Sequence, residues 1–133
     1  MNPILITNNP KAYAAYKDEM KVEFLEGNSY GEVLEAARDA VHRGAKLLTH
    51  PLAGSLKPNQ TPYRSLIIDA SQNGKVDWKS LELIENGLAS HEKFMRGSRM
   101  PKWNEAIRVD FQTVDLSHIV GCVDKCKQSG KRG

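Results

Sequence analysis

The chain has few of the features from which a function is read directly. It has two cysteines, Cys122 and Cys126, spaced C-x3-C rather than as the redox pair C-x2-C, and no second Cys or His pair completes a zinc site. Reduced thiols are therefore expected, with no metal and no cofactor. Aromatic residues are 7% of the chain, and its basic residues form no stripe interleaved with aromatic or glycine motifs, so nucleic acid is not an expected partner. No run approaches the roughly 18 apolar residues of a membrane helix. Met1-Asn2-Pro3 leads straight into a short apolar segment without a basic region or cleavage site. Neither membrane insertion nor export is expected, and the expected location is the cytoplasm. There is no internal repeat and no low-complexity tract.

What is present is enough for a core. With 133 residues, 40% of them hydrophobic and 26% charged, the chain is the size and composition of one globular domain. The net charge of +3 is modest, and part of it sits at the end, where Lys125, Lys127, Lys131 and Arg132 are opposed only by Asp124. Residues 1–127 are expected to form a single domain and 128–133 a flexible basic tail.

Strand and helix signals alternate. Ile4-Leu5-Ile6 reads as a strand, followed by Asn9 as a helix cap and Pro10 in the first turn. Val22 and Phe24 mark a second strand. Ser29-Tyr30-Gly31-Glu32 has the form of a capping box, and Tyr30, Val33, Leu34, Ala37 and Val41 fall on one helical face before Gly44 stops it. Ala45 to Leu48 is a third strand, and a polar loop broken by Pro51, Gly54, Pro58 and Pro62 leads to a fourth at Ser65 to Asp69. Asp77 caps a long helix whose buried face is expected to include Trp78, Leu81, Ile84, Leu88 and Met95, with Gly97 and Pro101 ending it. Trp103, like Trp78, is expected to be a core or staple residue rather than a stacking platform. A short helix near Asn104 and a fifth strand from Phe111 to Val114 are expected before a last helix through Leu116, Ile119, Val120 and Val123. Helices between strands predict an α/β fold, a three-layer αβα sandwich around a mostly parallel, Rossmann-like sheet of four or five strands.

In an open parallel sheet, ligands gather beyond the carboxyl ends of the strands. The loops at Thr7-Asn8, at Glu26 to Ser29 and at residues 49–65 would then share one edge, with helix N-termini offering N–H donors to an anion. The candidate ligand-binding residues are Thr7, Asn8, Thr49, His50, Ser55, Lys57, Asn59, Thr61 and Tyr63. His50 is also the candidate proton carrier, because imidazole titrates near neutrality; a loop histidine bonded to backbone is the competing reading. Gly54-Ser55-Leu56-Lys57 has the small residue, hydroxyl and cation of an anion site. It lacks the second glycine and Gly-Lys-Ser/Thr ending of a P-loop, and following prolines bar the helix of a nucleophile elbow.

The stretch from Thr49 to Tyr63, with Ile6 to Pro10 and Val22 to Gly27, resembles the GrdX family, and the likeness runs from about Ile4 to Leu116. The resemblance implies a protein encoded with components of glycine, sarcosine or betaine reductase in amino-acid-fermenting anaerobes. It implies those components as partners but no agreed activity. Two roles follow. In one, the loop at 49–65 is a docking surface or anion site of an accessory protein; in the alternative, the chain is a small enzyme or ligand-binding domain for a carboxylate- or phosphate-bearing metabolite. No oligomeric state can be read from the sequence.

Overall fold

The computed structural model describes residues 2–51, 61–71, 75–96 and 103–131, with side chains as far as Cys126. The order is β1 (Pro3–Thr7), α1 (Pro10–Tyr16), β2 (Lys21–Phe24), α2 (Tyr30–His42), β3 (Lys46–Leu47), β4 (Ser65–Asp69), α3 (Trp78–Met95) and α4 (Glu105–Lys131).

Local chemistry sets the helix starts. Asn9 caps α1 by accepting from Lys11 N–H, with Pro10 in the first turn. Both halves of the Ser29/Glu32 capping box are formed at the start of α2, and Gly44, at φ 102°, turns the chain after its end. Asp77 accepts from Ser80 N–H at α3.

The strands lie in the order β2-β1-β4-β3. Only β1 and β2 pair in parallel; β4 runs antiparallel to both β1 and β3. This corrects the expected mostly parallel, Rossmann-like sandwich: the chain is a small α+β fold with a mixed sheet. The cause lies between β3 and β4. A parallel neighbour needs a crossover, which is normally helical. Between β3 and β4 the described residues, 48–51 and 61–64, include Pro51 and Pro62 and no helix, and β4 returns antiparallel, inserting between β1 and β3. Because β4 opposes both of its neighbours, β1, β2 and β3 still point the same way.

Side chains alternate across the sheet as the strand period requires. Ile6, Leu66 and Ile68 pack with Val33, Leu34, Ala37 and Val41 of α2 and Ile84 of α3. Leu5 and Ile67 face the other way, onto Ala12 and Tyr16 of α1 and Ile119, Val123 and Cys126 of α4. Each fully buried aliphatic side chain of this kind contributes about 1.5–3 kcal/mol.

Two further expectations are corrected. Phe111 to Val114 form no fifth strand but part of α4, a continuous helix of 27 residues. Asn104 starts it, with Oδ1 accepting from Ile107 N–H at 2.9 Å, and Gln112, Asp115, Ile119, Val123 and Cys126 then recur at helical spacing toward the sheet. A brief alternation at Ile107, Val109 and Phe111 cannot outweigh that longer period. Trp78, expected in the core, is 74% exposed on the first turn of α3; Trp103 is half-buried and meets Phe111 edge-on. The backbone of α4 is described to Lys131. Gly97 and Pro101, the expected stops of α3, lie outside the described residues.

Candidate functional site

The co-directional ends of β1 and β2 meet the start of β4 at one edge, where Thr7 pairs with both Phe24 and Ser65. Thr7 and Ser65 have side chains on the face toward α4, and there the apolar core gives way to a closed polar ring. Asn9 N–H donates to Thr7 Oγ1 at 2.9 Å, and the Thr7 and Ser65 hydroxyls are 2.7 Å apart. Ser65 Oγ donates to Asp115 Oδ2 at 2.5 Å, and Asn9 Nδ2 donates to the same oxygen at 2.9 Å. Since Ser65 spends its only proton on the carboxylate, Thr7 must be the donor to Ser65. Every member is nearly or fully buried, from 0% exposure at Thr7, Asn9 and Ser65 to 5% at Asp115.

Asn8 forms a second clamp beside the ring. Its Nδ2 donates to the carbonyls of Asn28 at 2.8 Å and Pro62 at 2.9 Å, while Oδ1 accepts from Arg64 N–H at 2.9 Å. One amide thus joins the turn after β1, the turn after β2 and the approach to β4. Thr61 Oγ1 accepts from Tyr63 N–H, and Gln112 Nε2 of α4 donates to Tyr63 Oη at 2.9 Å. Beneath them the buried Arg64 guanidinium lies 5.8 Å from the Tyr30 ring centroid, with Nη1 3.4 Å from the phenol oxygen. Burial pushes the Tyr30 phenol above its usual value, with the Arg64 charge pulling the other way.

Over this platform lies a cavity of about 480 Å³, lined by Asn8, Asn28, Ser29, Tyr30, Tyr63 and Arg108 among others. A smaller hollow of about 10 Å³ lies between Thr61, Tyr63, Arg64, Asp115 and His118; Tyr63 borders both. Glu26 and Glu32 also line the larger cavity, so its walls carry both signs of charge.

Of the residues singled out in the sequence, Thr7, Asn8, Thr61 and Tyr63 come together at this edge. Thr49 does not join them: its Oγ1 accepts from Ile67 N–H at 3.1 Å, further along β4. His50 is exposed at the start of the loop. Ser55, Lys57 and Asn59 lie outside the described residues. Sequence reasoning missed Arg64, Ser65, Arg108 and Asp115. The one available signal is Asp115 in the series 112, 115, 119, 123, 126, a carboxylate on a buried helical face. Among the described residues, no group of His, Cys, Asp or Glu is placed to hold a metal ion, and no helix is long and apolar enough to cross a membrane.

The class of protein so defined is a small α+β domain with a hollow at the carboxyl ends of its co-directional strands, built on a buried, hydrogen-bonded polar platform. The model for GrdX-like proteins matches residues 4–124, nearly the whole chain, and the chain belongs to that family. No curated protein and no solved structure matches it.

Proposed function

We propose that this GrdX-family chain is a cytoplasmic accessory protein of the glycine, sarcosine or betaine reductase system. It binds a reductase component, or a small anion presented by one, at the strand-end edge formed by Asn8, Asn28, Tyr63 and Arg108, where Thr61 to Ser65 of the loop at 49–65 lie. The observation that carries the reading is the contrast between platform and cavity. The polar groups most like catalytic machinery, Ser65 and Asp115, are buried and joined within a closed hydrogen-bond ring, whereas the cavity above is open and lined by groups suited to recognition. A nucleophile at 0% exposure meets no substrate, so binding is favoured over turnover.

The alternative, a small enzyme for a carboxylate- or phosphate-bearing metabolite, draws on Arg108 and His50 and on Lys57 of the same loop. A thermal-shift series with glycine, sarcosine, betaine, acetyl phosphate and nucleotides, run beside a pull-down with purified reductase components, tests the reading. Capture of a component without turnover of any metabolite is expected. Turnover abolished by His50→Asn, with ligand affinity kept, establishes the enzyme instead.

A further inference from the structure

On the sheet face away from α4, the N-terminal half of α2 and the C-terminal half of α3 enclose an open groove of about 750 Å³. Its apolar part comes from Leu88, Ala89 and Met95, while Glu32, Glu35, Glu85 and Glu92 stand along the walls against Arg38 and Arg96. Arg96 is already held by Glu92 at 2.9 Å, and Arg38 Nε lies 3.7 Å from Asp39. Glu85 in turn lies 3.7 Å from His42, and the described lining, with four glutamates against two arginines, is acidic on a chain whose net charge is +3. It is also shaped by sequence. A Cβ at Gly31 would meet His91 Cε1 at 2.8 Å, and the absence of one lets the imidazole approach α2 and stack on Tyr30 at 5.4 Å, 10° from parallel.

The missing positive charge is at the other end of the same chain. Lys125, Lys127, Lys131 and Arg132 cluster there, opposed by Asp124 alone. Helix α4, described with side chains as far as Cys126, runs away from the groove in two respects. It packs on the opposite sheet face, and its Cys126 lies in the cluster that includes Met20, just before β2, far from the strand-end edge where α2 begins. The described part of α4, whose backbone runs to Lys131, leads away from the groove of its own chain, so the seat falls to a second copy.

We propose that the α2–α3 groove receives the basic C-terminal end of α4 from a second copy of this chain. A groove between two packed helices offers a third helix a ridge-and-groove seat, and opposite charges on seat and occupant set register and orientation. Reciprocal exchange closes a two-fold dimer, and one-way exchange builds longer species. Both depend on the same charges.

Sedimentation velocity on the full chain over a concentration series tests this. Association at low salt is expected, with dissociation in about 1 M salt, where screening falls to about 3 Å. Glu35→Lys with Glu85→Lys, at exposed positions, should weaken association about ten-fold or more, as should Lys125→Glu with Lys131→Glu, and a mixture of the two variants should associate again. Circular dichroism confirms that each variant is folded. A wild-type chain that stays monomeric at low salt overturns the proposal, as does association that both pairs of substitutions leave unchanged.

Discussion

Ser65 and Asp115, 50 residues apart, share a 2.5 Å hydrogen bond inside the protein. It ties the first residue of β4 to the middle of α4, and through Asn9 and Thr7 it holds the start of α1 and the end of β1 in the same frame. The floor of the strand-end edge is a ring of buried hydrogen bonds rather than a loop resting on solvent.

Asp115→Ala is expected to destabilise the fold by about 3 kcal/mol, since it strips the acceptor from two buried donors, each costing about 1–3 kcal/mol when left without one. Ser65→Ala alone should cost less. A double-mutant cycle by urea unfolding should give a coupling of at least about 1 kcal/mol between the two positions. Additive effects would show that the ring is not a unit.

The two contact glycines should respond differently to alanine. At Gly87 a Cβ meets the Pro51 ring at 2.9 Å, and a proline ring has no rotamer by which to move aside. Gly87→Ala should therefore lower stability by about 1–3 kcal/mol despite its better helix propensity. At Gly31 the obstacle is the tip of His91. Gly31→Ala should be nearly neutral, and Gly31→Ala with His91→Ala should be no less stable than His91→Ala alone. Thermal unfolding of the four variants checks this.

Much of this structure is legible in local sequence and much is not, for a physical reason. Caps and apolar periods are encoded over a few residues, so Asn9, Ser29, Asp77 and the faces of α2 can be read directly. Strand direction depends on what joins two strands and which neighbours they find. Thus β4 is readable as a strand but its reversal is not. Asp115 and Arg64 are hidden because a buried charge is recognised only once its partners are known, and those partners, Ser65 and Tyr30, are distant in sequence.

Acid should weaken the fold in two stages. The Glu32 carboxyl is held below its usual 4.5 by Ser29 N–H and hydroxyl, and Asp77 below its usual 3.8 by the Ser80 hydroxyl and N–H. Burial pushes Asp69 up, but N–H donors from Asn2 and Ser71 overcome it and hold it low. Burial also lowers His91 below its usual 6.5, against the pull of Glu35. In all four the folded value is depressed, so the unfolded chain binds more protons. Their stabilisation is complete above the unfolded values and is lost as pH falls through the folded ones. Urea midpoints should decline first below about pH 6.5, from His91, and again below about pH 4.5, from the carboxyls. His91→Gln should remove the first decline and leave the second.

The cysteines should be unreactive in the native chain. Burial, with Cys126 adjacent, pushes the Cys122 thiol up to about 11, and Cys126 is buried. Thiolate is the reacting form, so alkylation at neutral pH should be slow until the protein is unfolded. Fast native alkylation would show that α4 opens at its C-terminal end.

The central claim is that the strand-end edge is where this GrdX-family chain meets its partner. Hydrogen exchange of the full chain, alone and with each purified reductase component, tests it most directly. The account predicts that one component slows exchange in the segments around Asn8, Asn28, Thr61 to Arg64 and Arg108, and that Arg108→Glu, at an exposed position, removes the effect without lowering stability. Protection confined to other surfaces, or none with any component, would contradict it.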